Sequence, residues 1–147
     1  MQAKSISKQV FISHEKNDKE LRMLASALAD ELWKRGYKIW TDEHIKPGSM
    51  WSQEIKKALN ESDSMIALLN RHSFSSSYVR DVLEHVLFDE RYKNRLLPVL
   101  IGSLSEKDFS RLPWVLRNMT FLKIKERRST YDRGRRIVDK FEELINR

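Results

Sequence analysis

The stretch from Tyr37 to Asn70, YKIWTDEHIKPGSMWSQEIKKALNESDSMIALLN, constrains the fold more than any other part of the chain. Tyr37-Lys38-Ile39-Trp40-Thr41-Asp42 alternates large and polar residues, the period of a strand. Lys46-Pro47-Gly48-Ser49 is turn chemistry, in which proline presets one φ and glycine accepts a positive one. Trp51, Ile55, Ala58 and Leu59 then recur at helical spacing until Asn60-Glu61-Ser62-Asp63 breaks the helix and Met65–Leu69 runs apolar. Strand, exposed loop, helix and buried strand in that order make half of a doubly wound α/β sheet.

The flanking segments repeat the pattern. Gln9-Val10-Phe11-Ile12-Ser13 is a short apolar run, as expected of a first strand buried on both faces. Asp18 is placed to cap a helix whose stripe is Leu21, Leu24, Ala25, Leu28 and Leu32, and Gly36 is placed to stop it. After the Ser-rich loop Arg71–Ser77, the spacing of Val79, Val82, Leu83, Val86 and Leu87 predicts a helix over Tyr78–Glu90, with Arg80, Asp81 and Glu84 on its other side. Leu96–Ile101 reads as a fourth buried strand, Ser105–Phe109 as one helical turn, and Leu112-Pro113-Trp114 as a buried anchor. Met119–Ile124 reads as a short fifth strand and Asp132–Asn146 as a closing helix. Residues 1–8 read as a flexible lead and 9–147 as a single domain: about five parallel strands with helices on both faces.

Composition narrows the function. With no cysteine there is no disulfide framework, thiol nucleophile or Cys-based zinc site. The four histidines, His14, His44, His72 and His85, are never spaced as i,i+4 ligands, so no metal is expected. GxGxxG, P-loop, nucleophile-elbow and HExxH patterns are missing, and four glycines are few for a phosphate-cradling loop. No apolar run reaches the ~20 residues of a membrane span, and the N-terminus has no signal-peptide centre, so a cytoplasmic location is expected. The net charge of +7 raises nucleic acid as a partner. Seven basic residues fall within Lys123–Arg136, but no recognition motif accompanies them, and a solvated connector is the simpler reading.

The segment GYKIWTDEHIKPGSMWSQEIKKALNESDSMIALLN resembles the Toll/interleukin receptor (TIR) domain family from its second strand to its third. There a D-x-x-x-L-x-P-G-type loop, the BB loop, precedes a W-x-x-E-I helix and an ESD-x-x-I-x-L-L-S strand. VFISH resembles the family's first-strand box and LLPVL its fourth strand. The resemblance implies a flavodoxin-like three-layer fold and, for a stand-alone bacterial-type member, cleavage of the nicotinamide–ribose bond of NAD+ to ADP-ribose or a cyclised product. NAD+ would be the substrate, with no other cofactor, in immune signalling switched on by self-assembly. The alternative it implies is a scaffold without chemistry that associates through the BB loop. A response-regulator-like module is the third candidate, but the first strand lacks a phosphoacceptor's paired aspartates.

The bond breaks through an oxocarbenium-like state, so a carboxylate near the ribose is needed. The family supplies it as W-x-x-x-E on the third helix. With Ser76-Ser77-Tyr78 set on its S-S-W, Tyr78 takes the tryptophan place and Val82 falls at the glutamate. Glu84 is the catalytic candidate, with Asp81 the other nearby carboxylate; two residues on a helix turn it by about 200°. Tyr78 would stack on a base, and Ser13, His14 and Asp42 would line the cleft. Ile45, Lys46, Pro47, Gly48 and Met50 form the candidate self-association loop, with Ile45 and Met50 as apolar residues offered to a neighbouring copy or another partner protein.

Overall fold

The computed structural model describes residues 9–45, 51–124 and 129–146. In chain order its elements are β1 (Val10–Ser13), α1 (Lys19–Lys34), β2 (Ile39–Trp40), α2 (Trp51–Glu61), β3 (Ser64–Leu69), α3 (Ser77–Leu87), β4 (Leu96–Ile101), α4 (Glu106–Ser110), α5 (Trp114–Arg117), β5 (Leu122–Ile124) and α6 (Thr130–Ile145). Short 3₁₀ turns cover Asp42–His44, Ser73–Ser75 and Glu90–Tyr92. The strands form one parallel sheet in the order β2-β1-β3-β4-β5. This is the doubly wound arrangement that the apolar runs predict, in the flavodoxin-like strand order that the family resemblance implies.

Side-chain alternation along the strands divides the core into two layers. Val10, Ile12, Ile66, Leu68, Leu97 and Val99 face the layer built with α1 and α6. Phe11, Met65, Ala67, Leu69, Leu96 and Leu100 face the other, lower layer, built with α2, α3 and α5. Helix α1 starts where Asp18 Oδ1 accepts the Leu21 amide at 3.0 Å, and the chain leaves it through Gly36 at φ +91°.

Three expectations are corrected. Only Ile39 and Trp40 of the anticipated second strand pair with β1, because Asp42–His44 winds into a 3₁₀ turn. Leu112 is buried as expected, but Trp114 opens α5 and is 69% exposed, so the anchor is one residue wide. The fifth strand begins at Leu122 rather than Met119, pairing with β4 from Val99 onward; Pro98, just before, has no amide hydrogen to offer a neighbouring strand. No helix among the described residues is long and apolar enough to cross a membrane.

Candidate functional site

Strand β1 sits between β2 and β3, so the chain leaves its neighbourhood in opposite directions and a crevice opens beyond the strand ends. Ser13 closes β1; its Oγ is buried and has no hydrogen-bond partner among the described residues. His14 follows, also buried, with Nδ1 3.1 Å from the Glu15 carbonyl and Nε2 3.6 Å from Asp42 Oδ1. The second contact joins the end of β1 to the turn after β2. That turn is fixed locally: the Thr41 amide donates to His44 Nδ1 at 2.9 Å, which aims Asp42 back at His14. Beneath it Trp40 stacks on Phe11, with ring centroids 4.5 Å apart.

The third wall comes from α3. Ser76 Oγ accepts the Val79 amide at 3.2 Å and starts the helix, which puts Tyr78 in its first turn, half-buried against the lower layer. Burial, and then the charges of Asp42 and Glu15, push the Tyr78 hydroxyl well above the usual phenol range. Two carboxylates, from the loops after β1 and β2, and a phenol from the first turn of α3 therefore share one field. On the α1 side of His14 and Asp42 lies a recess of about 160 Å³, lined also by Arg22, Asp30, Ile39 and Thr41 and reached by neither Glu15 nor Tyr78. The rim is braced from β3: Asn70 Nδ2 donates to Asp18 Oδ2 at 2.8 Å, joining the loop after β3 to the loop after β1.

The structure thus brings together Ser13, His14, Asp42 and Tyr78 and does not bring Glu84 to them. Val82 is 2% exposed in the lower core, whereas Glu84 is exposed. Glu84 lines a separate shallow depression with Asp81, His85, Phe88, Asp89 and Glu90, which shares no residue with the recess at His14. The helical stripe that buries Val79, Val82, Leu83 and Val86 turns residue 84 outward. Ile45 is half-buried against the lower layer rather than offered to solvent, and Lys46, Pro47, Gly48 and Met50 lie outside the described residues. Sequence reasoning missed Glu15, Arg22 and Asn70, whose roles depend on loops that meet only in three dimensions. The signal that was available is positional: Asn70 follows directly on β3 and Glu15 comes two residues after β1.

Residues 10–138 match the family model described as TIR domain. The chain belongs to the TIR domain family. A comparison with curated proteins gave no significant match. Among solved structures, a metazoan TIR-STING receptor from C. gigas superposes with a TM-score of 0.69 at 21% identity, over 100% of this chain and 41% of the receptor chain. This TIR domain therefore spans well under half the length of that receptor. The TIR domain of the Toll-related receptor TRR-2 from Hydra magnipapillata gives 0.61 at 21% identity, over 78% of this chain and 82% of that one. The TIR domains of the activated Roq1 resistosome, which recognises the effector XopQ, give 0.59 at 19%, over 94% and 85%. At these identities the likeness is one of fold.

Proposed function

We propose that this TIR domain is a signalling NAD+ hydrolase whose cleft is the crevice at the ends of β1 and β3. The observation that carries the reading is the convergence of His14 and Asp42, from the loops after β1 and β2, with Tyr78 in the first turn of α3, Asp42 being only 17% exposed and 3.6 Å from His14. In the reaction the bond between the nicotinamide nitrogen and ribose C1′ breaks, and its electron pair neutralises the pyridinium. Water then adds to C1′, and one proton is released. A carboxylate that hydrogen-bonds the ribose hydroxyls and faces the developing charge lowers that barrier. Asp42 is the carboxylate placed to do this, Tyr78 offers a ring to stack on the base, and Arg22 offers a cation to the pyrophosphate. NAD+ is the substrate, and self-association of the domain, in immune-type signalling, is what switches turnover on.

The test is NAD+ consumption with product analysis, at high protein concentration with a crowding agent. Asp42→Asn is expected to lower turnover by about 10²-fold or more, the usual consequence of losing one aimed electrostatic group. Glu84→Ala is expected to retain most of it. The reverse result would return the catalytic carboxylate to α3.

One observation favours a second reading, a scaffold without chemistry. Val82, set where the family carries its helix glutamate, is packed in the core. No turnover in wild type together with concentration-dependent association would establish that reading and remove the first.

A further inference from the structure

Two surfaces outside the cleft are unlike the rest of the molecule. At the end of α3 the Phe88 ring is 89% exposed, more than any other large apolar side chain among the described residues. It lines a shallow depression with Asp81, Glu84, His85, Asp89 and Glu90, and the groove on its other side adds the exposed Lys93. Asp89 is held by Arg91 at 2.7 Å, so the collar's net negative charge rests on Asp81, Glu84 and Glu90, all exposed. In a chain of net charge +7, such a concentration of carboxylates around an apolar knob is distinctive.

The second surface has the complementary form. Between the end of β4, α4 and β5 lies a recess of about 340 Å³ whose floor includes Leu100, Leu104 and Phe109. Arg117 and Lys123, both exposed, stand at its mouth beside one carboxylate, Glu106. The Lys123 ammonium lies 5.6 Å from the Phe109 ring centroid and 5.7 Å from that of Phe121, so the mouth is already a place where cation and aromatic ring meet. A concave apolar floor under two cations fits an aromatic ring carried in an acidic collar.

We infer that the Phe88 knob of one copy docks in the Arg117–Lys123 recess of the next. The occupant is a second copy because sign and shape match on the same chain: negative collar to positive mouth, ring to apolar floor. The two surfaces lie towards opposite ends of β4. Leu96 lines the groove beside Phe88, and Leu100 and Gly102 line the basic recess, about 13 Å further at the rise of a strand. Donor and acceptor are therefore different surfaces and the contact is head-to-tail, which builds a ring if it closes and a filament if it does not. This inference supplies a contact for the self-association in the proposed function and rests on that part of it, not on the cleft chemistry.

Sedimentation velocity and light scattering of the full chain, across concentration and at low and high salt, provide the test. Wild type is expected to associate with rising concentration and less so at high salt, because the collar and mouth are exposed. Phe88→Ser and Lys123→Glu are each expected to weaken association at least about tenfold, as for the central residues of an interface. Both positions are solvent-exposed, so unchanged circular dichroism and melting will show that the fold is intact. The decisive step mixes the two variants. Phe88→Ser keeps the recess and Lys123→Glu keeps the knob, so together they form a heterodimer that grows no further. A mixture that stays monomeric overturns the inference, as does association lost in Phe88→Ser but untouched in Lys123→Glu, the signature of a knob meeting itself or a foreign protein. A wild type that is monomeric at every concentration overturns it too. NAD+ turnover read in parallel separates the two ideas, because absent turnover with the predicted heterodimer sinks only the cleft reading.

Discussion

At the residue scale the rim depends on one carboxylate with two duties. Asp18 Oδ1 accepts the Leu21 amide and caps α1, while Oδ2 accepts Asn70 Nδ2 from the loop after β3. Asn70 in turn orders its own loop, its Oδ1 accepting the His72 and Ser73 amides at 3.0 and 3.2 Å. Burial pushes the Asp18 carboxyl up, but the bonds from Leu21 and Asn70 and the charge of His72 outweigh it, leaving the group below its ordinary value. A carboxyl held below its unfolded value stabilises the protein above about pH 4 and loses that contribution as pH falls through its folded value. Asn70→Ala should therefore cost about 1.5 kcal/mol at neutral pH, the low end of the range for a hydrogen bond to a charged group, as suits a half-buried site. The same substitution should cost less at pH 3, as read by urea unfolding. An equal penalty at both values would mean that Asn70 acts only through its own loop. The cap half of this arrangement was legible, because an aspartate stands directly before a periodic run. The Asn70 half was not, since the partners are 52 residues apart and nothing local marks them.

At the element scale the strands and helices were legible for one reason: a sheet covered on both faces needs continuous apolar strands and one-sided helices. Met65–Leu69 and Leu96–Ile101 announce themselves, and the stripe through Val79, Val82 and Val86 fixes how α3 is rotated, including the outward turn of Glu84. The edges were less legible. Alternation from Tyr37 to Asp42 promised a six-residue strand, yet only the residues facing β1 pair, and Tyr37 instead packs edge-on against Phe141 of α6. Trp114 shows the same limit, since an aromatic beside Leu112 and Pro113 says nothing of which way a four-residue helix turns it. Gly134 was silent in the sequence and lies where α6 packs against the backbone of α1. A Cβ placed there would sit 3.4 Å from the Ala27 carbonyl carbon and 3.5 Å from its oxygen, ordinary contact rather than overlap. Gly134→Ala should therefore gain helix propensity without strain, about 0.5–1 kcal/mol. Gly134→Leu should force the helices apart and cost about 1–3 kcal/mol. Melting temperatures moving in opposite directions for the two variants would bear this out. A fall for both would mean that the helices tolerate no Cβ at all.

At the scale of the whole molecule, the end of α1, the entry to β2 and the outer face of α6 are held by one polar clasp. Arg35 donates to Glu31 at 3.0 Å, to Asp139 at 2.8 Å and to Glu142 at 2.6 Å, and the Tyr37 hydroxyl donates to the other Glu142 oxygen at 2.9 Å. Burial opposes the Arg35 charge, but the three carboxylates more than offset it and hold the guanidinium protonated. Tyr37 is raised to about 12, first by burial and then by its bond to Glu142, because ionisation would set a phenolate against a carboxylate in a half-dry site. A group whose folded value is raised contributes fully below its unfolded value, near 10 for a phenol, and loses that contribution as pH rises through about 12. Tyr37→Phe should therefore be less stable than wild type at pH 8 by about 1 kcal/mol, the net worth of one such hydrogen bond. The gap should close between pH 10 and 12, because the unfolded phenol ionises from about pH 10 while the folded one keeps its proton and its bond to Glu142 until about 12. Comparing the two proteins, rather than following wild type alone, isolates Tyr37 from Tyr78 and Tyr92, which burial also raises. Urea unfolding of both proteins at pH 8, 10 and 11.5 makes the measurement. A gap that stays constant to pH 11.5 would mean that the phenol contributes by packing on Phe141 and not through its proton.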